Sequence, residues 1–197
     1  MKNRLFSATF AALAVIAVSA AEPVSRRDAA RLQAKLDRIN QHKSLQGGAA
    51  ARTPVTESEL NAYLRYELGD QIPAGVQDPW VSFLEGNRLA GRATVDLARV
   101  SQSRKSGGML DPFSYLTGSV PVTVNGTLQA RNGVGSFALE SAAISGVPVP
   151  VWMLQEIVTY YSKSPSMPGG VSIDKPFTLP SGIREIQLAK GQATIVQ

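Results

Sequence analysis

The chain has 197 residues, a formal net charge of +5, 44% hydrophobic residues, a single histidine and no cysteine. The lack of cysteine excludes disulfides, thiolate metal sites, cysteine nucleophiles and a lipoprotein-type signal, which needs a cysteine to carry acyl chains. The mild basic excess, without a dense Lys/Arg stripe or interleaved aromatics, argues against nucleic acid and is compatible with an anionic membrane surface.

Met-Lys-Asn-Arg opens the chain, an apolar run fills residues 5–18, and Ser19-Ala20-Ala21 follows. A charged start, an apolar stretch too short to span a bilayer comfortably and small residues at its end predict a secretory signal over residues 1–20. The expected location is therefore outside the cytoplasm, periplasmic or extracellular. Residues 25–43 carry only a thin stripe, Leu32, Leu36 and Ile39, on an otherwise charged helix. That spacing predicts a surface helix or stalk, and Gly47-Gly48 with its alanines predicts a linker up to Arg52. Residues 21–52 thus read as polar helix and linker, and residues 53–197 as one α+β domain.

Thr56-Glu57-Ser58-Glu59 fits a capping box, a hydroxyl followed three residues later by a carboxylate that reaches back. The helix it starts carries Leu60, Leu64 and Leu68 on one side. Beyond it, residues 79–84 and 89–97 read as a hairpin, the second strand alternating through Leu89, Gly91, Ala93, Val95 and Leu97. Residues 119–131 alternate through Val120, Val122, Val124, Gly126, Leu128 and Ala130, and residues 134–144 return with Phe137 and Leu139 inward. Asn132-Gly133 is the expected turn, with Asn125-Gly126 as its rival. In residues 146–162 two prolines enforce an extended approach, after which Leu154, Ile157, Val158 and Tyr161 recur at helical spacing, widened by Met153 and Tyr160. This one-faced helix is the expected support of the sheet. A last hairpin over residues 183–196 turns at Lys190-Gly191. The predicted fold is α+β: a curved antiparallel sheet packed on a central amphipathic helix.

The chemistry is sparse. His42 stands at the end of a polar helix without partners for a triad or a metal site. Glu57 and Glu59 are explained by capping and the helix dipole, Asp78 by a turn before Pro79, and Asp96 by the polar side of a strand. No catalytic residue, metal or cofactor is expected. Big side chains on the helix face a sheet rich in small ones, Gly91, Ala93, Gly126, Ala138 and Ala143. That pairing either interdigitates as plain core or leaves a groove.

Thr-x-x-Glu-Leu-Asn over residues 56–61, Ile144-Ser-Gly-Val-Pro-Val-Pro, Phe177-x-Leu-Pro-x-Gly-Ile183 and a final hairpin with Gly191 occur in this order. The pattern resembles the small bacterial envelope proteins of the LmeA, YceB and YpmS type, associated with a tubular-lipid-binding-like architecture. The resemblance covers residues 53–197 and implies a non-enzymatic role in binding a phospholipid or glycolipid. In that reading acyl chains meet Phe137, Leu139, Trp152, Met153, Leu154, Ile157, Tyr160 and Tyr161, while Arg99, Arg104 and Lys105 meet the headgroup. The alternative is an envelope scaffold with a solid core and a protein partner.

Overall fold

The computed structural model describes residues 24–42, 50–73, 75–102, 118–161, 168–170, 172, 173 and 175–197. The expected signal, most of the expected linker, Arg104 and Lys105 lie outside the described residues. In chain order the elements are α1 (Arg26–His42), β1 (Arg52–Thr56), α2 (Glu57–Tyr66), a 3-10 turn (Gly69–Gln71), β2 (Val76–Leu84), β3 (Arg88–Asp96) and α3 (Leu97–Gln102). They continue with β4 (Ser119–Arg131), β5 (Val134–Ile144), β6 (Val147–Val149), α4 (Val151–Tyr161), β7 (Phe177–Thr178), β8 (Glu185–Ala189) and β9 (Gln192–Val196). The class is α+β, as expected. Three strands form one sheet in the order β1-β9-β8; the other six form a second, β2-β3-β4-β5-β6 with β7 also on β5. Every pairing is antiparallel.

Local chemistry explains the turns. Asn132 and Gly133 both take positive φ, 54° and 78°, the backbone that a two-residue hairpin requires. The rival Asn125-Gly126 is a bulge instead: the β4–β5 register shifts there without ending either strand. The capping box forms as expected, Thr56 accepting from the Glu59 N–H while the Glu59 carboxylate accepts from the Thr56 N–H.

The position of α1 corrects the surface-helix expectation. Ala29 is 0%, Leu32 4% and Ile39 2% exposed. Leu32 packs with Val55, Phe83, Leu188 and Ala193, and Ile39 with Ala130, Leu179 and Ile183, so α1 touches both sheets. The stripe looked thin because Ala29 does not register as a large apolar residue, yet a small side chain is what lets a helix approach its neighbours closely. The Lys35 ammonium joins α1 to α2, donating at 2.7 Å to both oxygens of buried Glu59 and to the Pro54 carbonyl. The helix at the core is therefore α1, whereas α4, the expected central support, packs against β5.

Side chains of α2 complete the free edge of β2. Asn61 accepts from the Val81 N–H at 2.8 Å and donates to the Val81 carbonyl at 2.7 Å, as a neighbouring strand would. Glu57 takes the Phe83 N–H at 2.9 Å and the Ser82 hydroxyl at 3.2 Å. Gly191 links the two sheets, donating to the Phe83 carbonyl and accepting from the Glu57 N–H, both at 3.0 Å. Among the described residues no buried side-chain polar atom lacks a hydrogen-bond partner.

Because Leu32 is core and Trp152 is 66% exposed, Leu32→Ala should lower stability by about 2–5 kcal/mol, while Trp152→Ala should change it by about 0.5 kcal/mol or less; urea denaturation reads both. At the start of α1 the Ser25 hydroxyl, donating at 2.6 Å, holds the Asp28 carboxyl below its usual range. A lowered carboxyl pKa stabilises above the ordinary value of about 4 and loses that contribution as pH falls through the depressed one. The Tm difference between wild type and Ser25→Ala should accordingly shrink as acid is added.

Candidate functional site

Strand alternation and register decide what the six-stranded sheet presents. On one face stand Val81 and Phe83 of β2, then Leu89, Gly91, Ala93 and Val95 of β3, paired with Gly126, Val124, Val122 and Val120 of β4. Phe137 of β5 lies opposite Leu128 and Leu139 opposite Gly126; beyond the bulge, Ala142 and Ile144 meet Val124 and Val122. Val149 and Val147 of β6 extend the same face. One end of it, Val81, Phe83, Leu89, Leu128 and Ala130, closes on the α1 core. Toward the other end Gly91, Ala93, Val95, Val120, Val122, Val124 and Ile144 are half-buried, and none of them carries a polar side-chain atom.

The small residues are sorted differently from the expectation, Ala138 by plain alternation between Phe137 and Leu139 and Ala143 by the bulge. Ala138 and Ala143 pair with Thr127 and Thr123 and so turn to the opposite face, while Ala142 turns inward and is buried. Gly126 is not open volume either. A Cβ there would sit 2.4 Å from the Phe137 ring and 2.5 Å from the Ala138 carbonyl, so the glycine exists to let that ring cross the strand. Gly91 makes similar room for a methyl of Val124, at 2.9 Å.

Of the expected acyl contacts, Phe137 and Leu139 are half-buried on this face, and Leu154 is buried where α4 packs against β5. Met153 and Ile157 are half-buried, Trp152 is exposed, and the side chains of Tyr160 and Tyr161 lie outside the described residues. Trp152 thus does not join the buried set: it sits on the corner between β6 and α4 with Val147, itself 64% exposed. No ionisable residue occurs from Ser141 to Gln155, so an uncharged rim borders the apolar face. Of the expected headgroup contacts, Arg99 lies on α3, ion-paired with Asp96 at 3.5 Å and with its side chain largely exposed.

The buried carboxylates have structural tasks. Glu59 is held by Lys35 and the Thr56 N–H, and Glu57 by β2. Among the described residues no three His, Cys, Asp or Glu side chains are grouped to hold a metal, and no helix is long and apolar enough to cross a membrane.

No protein-family model matches the chain, and no curated protein is significantly similar to it. A solved structure of a lipopolysaccharide binding protein aligns with 74% of this chain and 40% of its own length, at 14% identity and a TM-score of 0.22. A superposition that loose carries no argument about fold or ligand.

The packing of the Phe137 ring over Gly126 gives a direct check. Gly126→Val should cost about 1–3 kcal/mol by overpacking, whereas Gly69→Ala, where a Cβ meets nothing within 4 Å, should be near neutral in the same denaturation series.

Proposed function

We propose that this is an exported, non-enzymatic protein that holds an acyl lipid, a phospholipid or glycolipid, against the half-buried part of the six-stranded sheet beside α4. The observation that carries this reading is the uncharged apolar face from β3 to β5 that runs on to the exposed Val147–Trp152 corner. The physical drive is desolvation, about 0.8 kcal/mol for each CH₂ removed from water. In this reading half-buried Leu139, Met153 and Ile157 flank an acyl chain, and Trp152 suits the boundary between apolar and wet surroundings. Arg99 supplies a cation for an anionic headgroup. Export rests on the charged start, apolar run and small residues of the first 20 positions.

Native mass spectrometry of protein purified from a bacterial envelope extract, with lipid analysis after denaturation, tests the reading. A stoichiometric lipid is expected. Ala93→Phe, which fills the face while keeping it apolar, should remove that lipid and leave the circular dichroism spectrum unchanged. A lipid-free mass that persists after incubation with liposomes would replace this reading with that of an envelope scaffold whose surfaces bind another protein.

A further inference from the structure

A cleft of about 500 Å³ lies between α2 and the beginning of β2. Three local features make it. Asn61 fastens α2 to β2 at Val81. Upstream of that clasp the β2–β3 register shifts between Gln77 and Trp80, and Asp78 takes a φ of 46°, a left-handed backbone before a proline. Pro79, lacking an N–H, cannot offer the donor that would draw a partner strand or helix onto this stretch. The helix and the strand therefore diverge, and Leu64, Ile72, Val76 and Trp80 wall the opening while Arg65 and Arg92 stand at it.

The two arginines of the cleft have no carboxylate partner among the described residues, and Arg26 shares the Tyr66 ring with Arg65, at 4.9 Å. Arg31, Arg88, Arg99 and Arg131 are all ion-paired to carboxylates. Arg65 and Arg92 are stacked on rings, Arg65 over Tyr66 at 5.9 Å and Arg92 over Trp80 at 5.3 Å. Stacking fixes the plane of a guanidinium and leaves its N–H groups free to donate in that plane. Among the described residues Asp78 is the one carboxylate lining the cleft, against two arginines. Apolar walls and two ring-stacked guanidiniums with no carboxylate partner among the described residues suit an amphiphile with an oxyanion at one end. We propose that this cleft binds the phosphate or carboxylate of a small amphiphilic molecule, with Arg65 and Arg92 taking the oxyanion and Leu64, Ile72 and Val76 the apolar body. The proposal stands independently of the lipid reading of the sheet face.

Titration calorimetry with octyl phosphate below its micelle concentration, octyl glucoside and inorganic phosphate tests it on the full chain. Octyl phosphate should bind once per chain, and octyl glucoside and inorganic phosphate should each bind about tenfold more weakly or worse, as expected on losing charge-assisted hydrogen bonds or the apolar body. Arg65→Gln/Arg92→Gln should weaken octyl phosphate by a similar factor with Tm unchanged, since both side chains are exposed. Gly69→Phe adds bulk at the cleft where a Cβ meets nothing within 4 Å, and it should abolish binding with both arginines intact. Equal binding of octyl glucoside would remove the oxyanion, equal binding of inorganic phosphate would remove the apolar body, and undiminished binding by either variant would remove the cleft. Long-chain lipid carried by the Arg65→Gln/Arg92→Gln protein should be unchanged, so failure here and failure of the sheet-face reading remain distinguishable.

Discussion

The backbone N–H and carbonyl of Val81 form the constraint on which much of this molecule turns. Val81 belongs to an outer strand, so its N–H and carbonyl would otherwise face solvent or another chain. The Asn61 amide answers both with the right pair of atoms, and Glu57 continues the pattern at Phe83. A helix thus takes the place of a missing strand. Once α2 is fixed there, Glu59 on its first turn is presented to Lys35, and α1 is held between α2 and the two sheets. Gly191 then fastens the three-stranded sheet to the same spot. Removing the Asn61 amide would leave two part-buried backbone groups unmatched at the junction where all these parts meet.

Much of the sheet was legible in the sequence. Residues 119–131 and 134–144 alternate cleanly because one face is buried and the other is not, and Asn132-Gly133 states its own turn. The bulge was harder. Asn125-Gly126 carries a turn signature, and only the pairing of both flanking strands shows that it shifts the register instead. That shift turns Ala142 inward and Ala143 outward, whereas Ala138 faces outward by plain alternation between Phe137 and Leu139. β1 is not legible as a strand, because five residues with a proline give almost no alternation. The misplacement of α1 has a different cause: apolar periodicity measures the size of side chains, whereas burial depends on what surrounds them.

The functional surfaces divide in the same way. The half-buried apolar face follows from strand patterning and was legible in outline, although the helix expected to cover it lies beside β5 and leaves Trp152 in solvent. The cleft at Arg65 and Arg92 was not legible. Its walls come from α2, from the 3-10 turn, from β2 and from β3, and no single window of sequence contains them. Its one local signal was Asp78-Pro79, which reads as an ordinary turn until its left-handed backbone is seen inside a strand.

The arrangement of α1 also bears on how the chain reaches its folded state. The first described helix finds its packing partners among the last strands: Leu32 meets Leu188 and Ala193, β1 pairs with β9, and the Gln197 amide donates to the carbonyls of Ile39 and Ser181. Contacts of such sequence separation close late and slowly. During synthesis α1 can meet α2 and β2 early, but β1 has no strand partner and the α1 core is incomplete until β8 and β9 have left the ribosome. Closing the full set of core contacts therefore waits for the C-terminal strands, so a chain cut before β9 would lack the partner of β1 and the residues that seat Leu32 and Ile39.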